Sequence, residues 1–135
     1  MRSRAVILPH FGDPLTLHYL LHWFESVWSD EIDTMYIVSS NILDDECANA
    51  IQDDIASVER TTGKRIYRYL SNAPIQHGDA INMALDIVQE DLIMLLEEDT
   101  VIFKKGEVDR CFKMIESGEV DAVGSSRGSC ADILT

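Results

Sequence analysis

The stretch Leu92-Ile93-Met94-Leu95-Leu96-Glu97-Glu98-Asp99 places five apolar residues directly before three carboxylates. A short and wholly apolar run is typical of a strand that is buried on both faces of a parallel sheet. Adjacent carboxylates repel one another unless water, a basic partner or a cation lies between them. Because ligands of open α/β sheets bind at the carboxyl ends of the strands, this stretch predicts both a buried strand and the edge at which the chemistry lies.

Strand-like and helix-like segments alternate along the whole chain. Short apolar runs predict strands at residues 5–8, 35–38, 66–70, 92–96 and 120–123. Apolar stripes with helical spacing predict helices over residues 14–28, from Asp44 or Asp45 to Gly63, over residues 79–89 and from Val108 to Gly118. This order predicts an α/β fold with an open, mostly parallel sheet of about five strands and helices on both faces, as in Rossmann-like folds. The third run interleaves Arg65 and Arg68 with tyrosines, which favours an edge position in the sheet.

The composition limits the class of partner. The chain has 135 residues, enough for one domain, and its 11 basic and 24 acidic residues give a net charge of −13. No Lys or Arg occurs from residue 5 to residue 59, so the basic footprint of a nucleic-acid-binding surface is absent from the sequence. A phosphorylated ligand stays compatible with this charge, because a divalent cation can stand between carboxylates and phosphates.

The N-terminal apolar run is too short to target or anchor the chain. It covers residues 5–8 and ends at Pro9, whereas a signal peptide or a transmembrane span needs a much longer apolar segment. The sequence therefore predicts no transmembrane segment and a cytoplasmic location.

Two of the segments that follow strands are expected to meet. If the strand order is 3-2-1-4, the loop that begins at Pro9 lies beside the loop at residues 97–100, at the point where the strand order reverses. In an extended segment Glu97 and Asp99 point the same way while Glu98 points the other way. Two convergent carboxylates, completed by phosphate oxygens and water, suit Mg²⁺ or Mn²⁺. A solvated acidic loop is the alternative.

The other motifs are weaker. The sequence contains no GxxxxGK[ST], GxGxxG or GxSxG pattern. His18 and His22 have the i, i+4 spacing of a metal pair but no accompanying HExxH, which favours a polar helix face. The segment His77-Gly78-Asp79 precedes a predicted helix, whose free N–H groups could meet an anion; an ordinary Asp79 cap is the alternative.

Three segments together resemble a known family. The first is Val6-Ile7-Leu8-Pro9-His10-Phe11, a strand that ends in Pro with an aromatic residue close behind, and the second is Gly78-Asp79-Ala80-Ile81-Asn82 at the start of a helix. Fifteen residues past Asn82 comes Glu97, and this is the spacing at which the family named in the next sentence has the first acid of its metal-binding DxD motif. This combination resembles the nucleotide-sugar-binding half of a GT-A glycosyltransferase of the family 2 type. The sequence departs from that pattern at Glu97, at Ile81 in place of an Arg, and at Ser39 and Ser40 in place of a base-holding Asp.

The resemblance implies transfer of a sugar from a nucleoside-diphosphate sugar to the hydroxyl of a sugar, lipid-linked or protein acceptor. It implies that Glu97 and Asp99 hold Mn²⁺ or Mg²⁺ on the diphosphate, and it places the donor against Pro9, His10, Phe11, Ser39, Ser40, Gly78, Asn82 and Glu98. Residues 1–135 are then a single nucleotide-sugar-binding domain. The acceptor-binding half and the catalytic base are expected beyond Thr135, so no catalytic residue is assigned.

Two rival classes share the predicted fold. A phosphoacceptor receiver domain needs paired acids after the first strand, an Asp after the third and a Lys after the fifth. This chain has only Asp13, then Ser71-Asn72, then Ser125-Ser126 at those places, which excludes that class. A non-catalytic nucleotide-binding or interaction module with the same fold stays open.

Overall fold

The computed structural model describes residues 2–124, which form a four-stranded sheet flanked by helices. The strands are β1 (Arg4–His10), β2 (Thr34–Ser39), β3 (Arg65–Leu70) and β4 (Leu92–Leu95). The helices are α1 (Pro14–Trp23), α2 (Asp45–Thr62), α3 (His77–Leu85) and α4 (Glu107–Glu116). All strand pairs are parallel, and their order is β3-β2-β1-β4. This is the order under which the loops after β1 and β4 were expected to meet, and the predicted edge position of the third strand is confirmed.

The sheet separates two apolar cores. One face of β1 and β2 packs with α1, α2 and α4, and the other face packs with α3. The crossovers from β1 to β2 and from β2 to β3 run in one direction, whereas the crossover from β3 to β4 runs back. Because such crossovers are right-handed, the reversal moves α3 to the opposite face. The prediction of helices on both faces is confirmed.

The predicted fifth strand is wrong for the part of the chain described. Residues 120–124 follow α4 without pairing with the sheet, and residues 121–124 are exposed. Four residues with two valines are too short a pattern to separate a strand from a loop. As a result β4 lies at the edge of the sheet among the described residues, and its Leu95 side chain is 57% exposed rather than buried.

The helix starts follow from local capping. Asp13 accepts a hydrogen bond from Leu15 N at the start of α1, and Asp44 accepts one from Cys47 N at the start of α2. The helix predicted over residues 14–28 consists of two parts. The α-helix α1 ends at Trp23, and a π-helical turn, Phe24–Trp28, follows it directly. That turn buries the Phe24 ring edge-on against Trp28, with the ring centroids 4.7 Å apart.

A buried arginine fastens α4 to the amino end of β1. The Arg4 guanidinium lies 2.7 Å from Asp109 Oδ1 and 3.2 Å from Glu116 Oε1, and it stacks over the Phe112 ring. The hydrogen bond from Arg4 holds the pKa of Asp109 below its usual range. The buried Glu31 carboxylate accepts a hydrogen bond from Asp109 N and so caps the first turn of α4.

Gly12 allows the loop after β1 to cross the loop after β2. Its φ is +74°, and a Cβ built on it would lie 2.4 Å from Asn41 O. Asn41 has little room to retreat, because its own N–H donates to Ala73 O at 3.0 Å. The close crossing therefore requires a residue without a side chain.

We expect Gly12→Ala to lower the free energy of unfolding by at least about 3 kcal/mol, because left-handed strain and a backbone clash add together. Gly63→Ala is the matched control, since Gly63 has a similar φ of +71° with nothing within 4 Å of the added Cβ. It should cost about 1–2 kcal/mol. Urea denaturation measures both, and equal costs would contradict the close crossing at Gly12.

Candidate functional site

A cavity of about 190 Å³ lies at the carboxyl edge of the sheet, where the loops after β1 and β4 meet the start of α3. Its walls are formed by Pro9, His10, Phe11, Ser40, Ile75, Gln76, His77, Ala80, Glu97 and Glu98. This is the edge that the sequence predicts, at the point where the strand order reverses. Six of the residues proposed from the sequence line the cavity: Pro9, His10, Phe11, Ser40, Glu97 and Glu98.

The fully buried His10 ring fixes the floor of the cavity. His10 Nδ1 lies 2.7 Å from Ser39 Oγ, and His10 Nε2 lies 2.7 Å from the carbonyl oxygen of Asp13. A carbonyl can only accept, so Nε2 carries a proton and donates it there. In the neutral ring Nδ1 then accepts from the Ser39 hydroxyl. Ser39 is therefore occupied in holding His10 and does not line the cavity, whereas its neighbour Ser40 does.

The loops after β1 and β4 are joined by a direct hydrogen bond. Phe11 N donates to Glu98 Oε2 at 3.0 Å, and the same carboxylate oxygen lies 3.6 Å from His10 Nε2. This contact confirms the predicted adjacency of the two loops. The Phe11 side chain stays 51% exposed beside the cavity and offers an apolar ring face there.

The acidic segment is a turn rather than an extended strand end. Thr100 N donates to Glu97 O at 3.0 Å, which closes a turn with Glu98 and Asp99 at its centre. The alternation that was expected to bring Glu97 and Asp99 together does not apply to a turn. Glu97 and Glu98 line the cavity, whereas Asp99 is exposed and does not. The metal-ligand roles of Glu97 and Asp99 stay predictions.

The start of α3 forms the opposite wall. The helix begins at His77, and its N-cap residue Gln76 makes no side-chain capping hydrogen bond. Asp79 lies inside the first turn, so the alternative that it caps the helix is wrong. Gly78 and Asn82 are exposed and do not line the cavity, because they face away from the buried residue Ala80.

Four residues of this wall were not among the site residues proposed from the sequence, although one of them, His77, belongs to a segment considered there for anion binding. They are Ile75, Gln76, His77 and Ala80. The helical spacing could have indicated the position of His77. Ala80 and Ala84, three and seven residues after it, are both buried, so His77 lies on the same face of α3 as these two alanines. The resemblance pointed to Gly78 and Asn82 instead, which lie on the outward face.

The charged residues that line the cavity suit an anionic ligand that binds through a divalent cation. The lining residues include two carboxylates and two histidines, and no Lys or Arg. Across residues 2–124 no three His, Cys, Asp or Glu side chains are grouped to hold an ion by themselves. Carboxylate oxygen and imidazole nitrogen are nevertheless suitable ligands, and Mg²⁺ in nucleotide sites takes one or two carboxylates with phosphates and water completing its shell. The donor set therefore fits a divalent cation that arrives with a phosphorylated ligand.

Among the helices of residues 2–124, none has both the length and the apolarity that crossing a bilayer requires. The cytoplasmic location stays a prediction from the sequence.

Comparison with known proteins identifies the fold. No protein-family model matches the sequence, and no curated protein matches it. Among solved structures, the mannosyltransferase PcManGT from Pyrobaculum calidifontis, in complex with GDP-Man and Mn²⁺, superposes with a TM-score of 0.70 at 14% identity over 84% of this chain. TarS 1–349 from S. aureus superposes with a TM-score of 0.66 at 14% identity over 93% of this chain. Glucosyl-3-phosphoglycerate synthase from M. tuberculosis, in complex with Mn²⁺, UDP and phosphoglyceric acid, gives 0.54 at 14% identity over 91%.

The fold is GT-A-like, as the sequence resemblance implied. The present chain spans only part of these relatives: 32% of the mannosyltransferase chain, 38% of the TarS chain and 40% of the synthase chain. At these identities the similarity establishes the fold, and the chemistry of the cavity has to be argued from this chain's own residues.

We expect Glu98→Ala to release the loop after β1, because Phe11 N loses its acceptor. The amide of Phe11 should exchange with solvent about five- to tenfold faster, the effect of losing a hydrogen bond worth about 1 kcal/mol. Glu98→Gln is the matched control, since its side-chain carbonyl can still accept from Phe11 N. Hydrogen exchange followed by NMR measures both variants, and an unchanged Phe11 amide in Glu98→Ala would contradict the link.

Proposed function

We propose that this chain forms the donor-binding part of a glycosyltransferase that takes its sugar from a nucleoside diphosphate. The observation that carries the proposal is the cavity at the carboxyl edge, whose walls combine an exposed aromatic ring with the acidic turn at residues 97–100. The GT-A-like fold supports it, and so do the relatives' complexes with GDP-Man and Mn²⁺ and with UDP and Mn²⁺.

The nucleoside base is assigned to the β1 side of the cavity. The exposed ring of Phe11 offers a face for stacking, and Pro9 extends the apolar surface. The hydroxyl of Ser40 is better placed than that of Ser39 to bond the edge of the base, because Ser39 already bonds His10. His10 serves this part of the site by holding the loop rigid.

The diphosphate is assigned to the space between the acidic turn and the start of α3. There the uncapped backbone N–H groups near Gly78 favour an anion. Glu97 and Asp99 on the turn are the carboxylates proposed to hold Mn²⁺ or Mg²⁺, and the cation when bound would stabilise negative charge on the leaving diphosphate. Asn82 lies on the outward face of α3, and we assign it no donor contact.

A nucleotide-binding module without transfer activity is the second candidate. Ile81 stands at the position where the family that this sequence resembles has an Arg. The cavity of about 190 Å³ is also small for a whole nucleotide sugar. Such a module would bind the nucleotide but would not discriminate in favour of its sugar conjugate. Binding measured with UDP, GDP and the corresponding nucleotide sugars separates the two candidates.

We expect UDP or GDP with Mn²⁺ to stabilise the protein, by about 2.7 kcal/mol at a nucleotide concentration 100-fold above Kd. Glu97→Ala should weaken nucleotide binding about tenfold or more in the presence of Mn²⁺, and Asp99→Ala tests whether the second acid of the turn shares this role. Asp53→Ala, an exposed acid on α2 away from the cavity, is the control and should bind like the wild type. Thermal-shift titration measures all four proteins. Identical responses of the wild type and both turn variants would refute the metal role of the turn.

We expect residues 1–135 to bind the donor without repeated sugar transfer, because a general base must reach the acceptor hydroxyl. Asp13, the acid next to the β1 side of the site, is occupied in capping α1, and its hydrogen bond from Thr16 lowers its pKa and weakens it as a base. Product formation with a panel of nucleotide sugars and acceptors measures the activity. Multiple turnovers that disappear in Glu97→Ala would show this expectation to be wrong.

A further inference from the structure

A histidine from α3 faces the acidic turn across the cavity. His77 Nε2 lies 3.5 Å from Glu97 Oε1, and both side chains are more than half exposed. This separation is too long for a good hydrogen bond between a nitrogen and a carboxylate oxygen. The two atoms therefore face each other on the cavity wall without a direct hydrogen bond between them.

The distance between His77 Nε2 and Glu97 Oε1 matches the distance between two ligand atoms that bind the same metal ion. Nitrogen and oxygen ligands lie about 2.0–2.2 Å from a bound Zn²⁺ or Mg²⁺, so two neighbouring ligands are about 3.0–3.5 Å apart for angles between 90° and tetrahedral. The observed 3.5 Å between Nε2 and Oε1 lies at the upper end of this interval. Small side-chain rotations of two exposed residues would be enough to bring both atoms onto one cation.

The other histidine–carboxylate contacts of the described residues differ from this one. His18 Nδ1 and Asp54 Oδ2 are 3.0 Å apart, which is a direct hydrogen bond, and they lie in a shallow groove between α1 and α2. His10 also approaches a carboxylate, but its two ring nitrogens are occupied by Ser39 and Asp13. His77 thus differs from both in facing its carboxylate at ligand spacing inside the candidate site.

We propose that His77 and Glu97 together ligate the divalent cation of the donor site, with diphosphate oxygens and water supplying the other positions. This inference rests on the proposed function. It revises the proposed function at one residue: His77 takes the ligand position given there to Asp99, a residue that the turn places outside the cavity wall. Because two protein ligands hold an ion weakly, Mn²⁺ binding should depend strongly on the nucleotide. An imidazole ligand also favours Mn²⁺, Co²⁺ or Zn²⁺ over Mg²⁺.

The test is calorimetric titration of MnCl₂ into the protein saturated with UDP or GDP. We expect His77→Ala to weaken Mn²⁺ binding about tenfold or more and His18→Ala, the matched control, to leave it unchanged. His77→Asp should restore binding with the preference shifted from Mn²⁺ toward Mg²⁺. As a readout of direct ligation, Mn²⁺ should broaden the imidazole NMR signals of His77 before those of His18. Because His77 is exposed, circular dichroism should show the variants to be folded.

The outcomes separate the inference from the function on which it rests. Nucleotide binding that requires Mn²⁺ and is equal in His77→Ala and His18→Ala, without selective broadening of His77, would overturn the inference and leave the donor site standing. A wild-type protein that binds neither UDP nor GDP with any divalent cation would overturn both. Weaker Mn²⁺ binding in His77→Ala without selective broadening would also count against ligation, since it would indicate an indirect effect on Glu97.

Discussion

The buried imidazole of His10 is the constraint on which the candidate site depends. Its two nitrogens bond Ser39 at the end of β2 and the backbone of Asp13 at the start of α1, so one side chain joins three segments. With His10 fixed, the next residue, Phe11, presents its amide to Glu98 of the acidic turn. The relative position of the aromatic side and the acidic side of the cavity is therefore set by hydrogen bonds made beneath it. A polar group buried this deeply is tolerated because both of its nitrogens are satisfied.

Local sequence signals predicted most of the fold. Asp44 caps α2 and Gly63 ends it in the left-handed conformation, as predicted, because capping depends on a few neighbouring residues. The edge position of β3 also followed, since its charged and aromatic residues are typical of an edge strand. The sequence-based predictions failed where the structure depends on contacts between residues far apart in the chain. Residues 120–123 have a strand-like composition, but a strand exists only where a neighbouring strand pairs with it, and sequence composition does not supply that partner.

The candidate site was predicted in its position and only partly in its members. The rule that ligands bind where the strand order reverses located the loops containing Phe11 and Glu98 correctly. The orientation of the acidic residues was missed, because one hydrogen bond from Thr100 N to Glu97 O converts an extended segment into a turn and redirects three side chains. His77 was missed because α3 begins two residues earlier than expected, which moves it from the preceding loop onto the helix face that meets the cavity.

The two edges of the sheet differ in how they meet another protein molecule. At β3 the outer backbone groups of Ile66 are bonded to side chains: its N–H donates to Glu59 Oε2 at 3.1 Å, and its carbonyl oxygen accepts from Arg68 Nη1 at 2.6 Å. Side-chain bonds and charges of this kind on an edge strand discourage a foreign strand from docking. At β4 every side chain is apolar, and within the described residues its outer backbone groups have no strand beside them. Among residues 2–124, the edge at β4 is thus the one more open to an added strand, and a lysine at the exposed Leu95 is the substitution that opposes such pairing most directly.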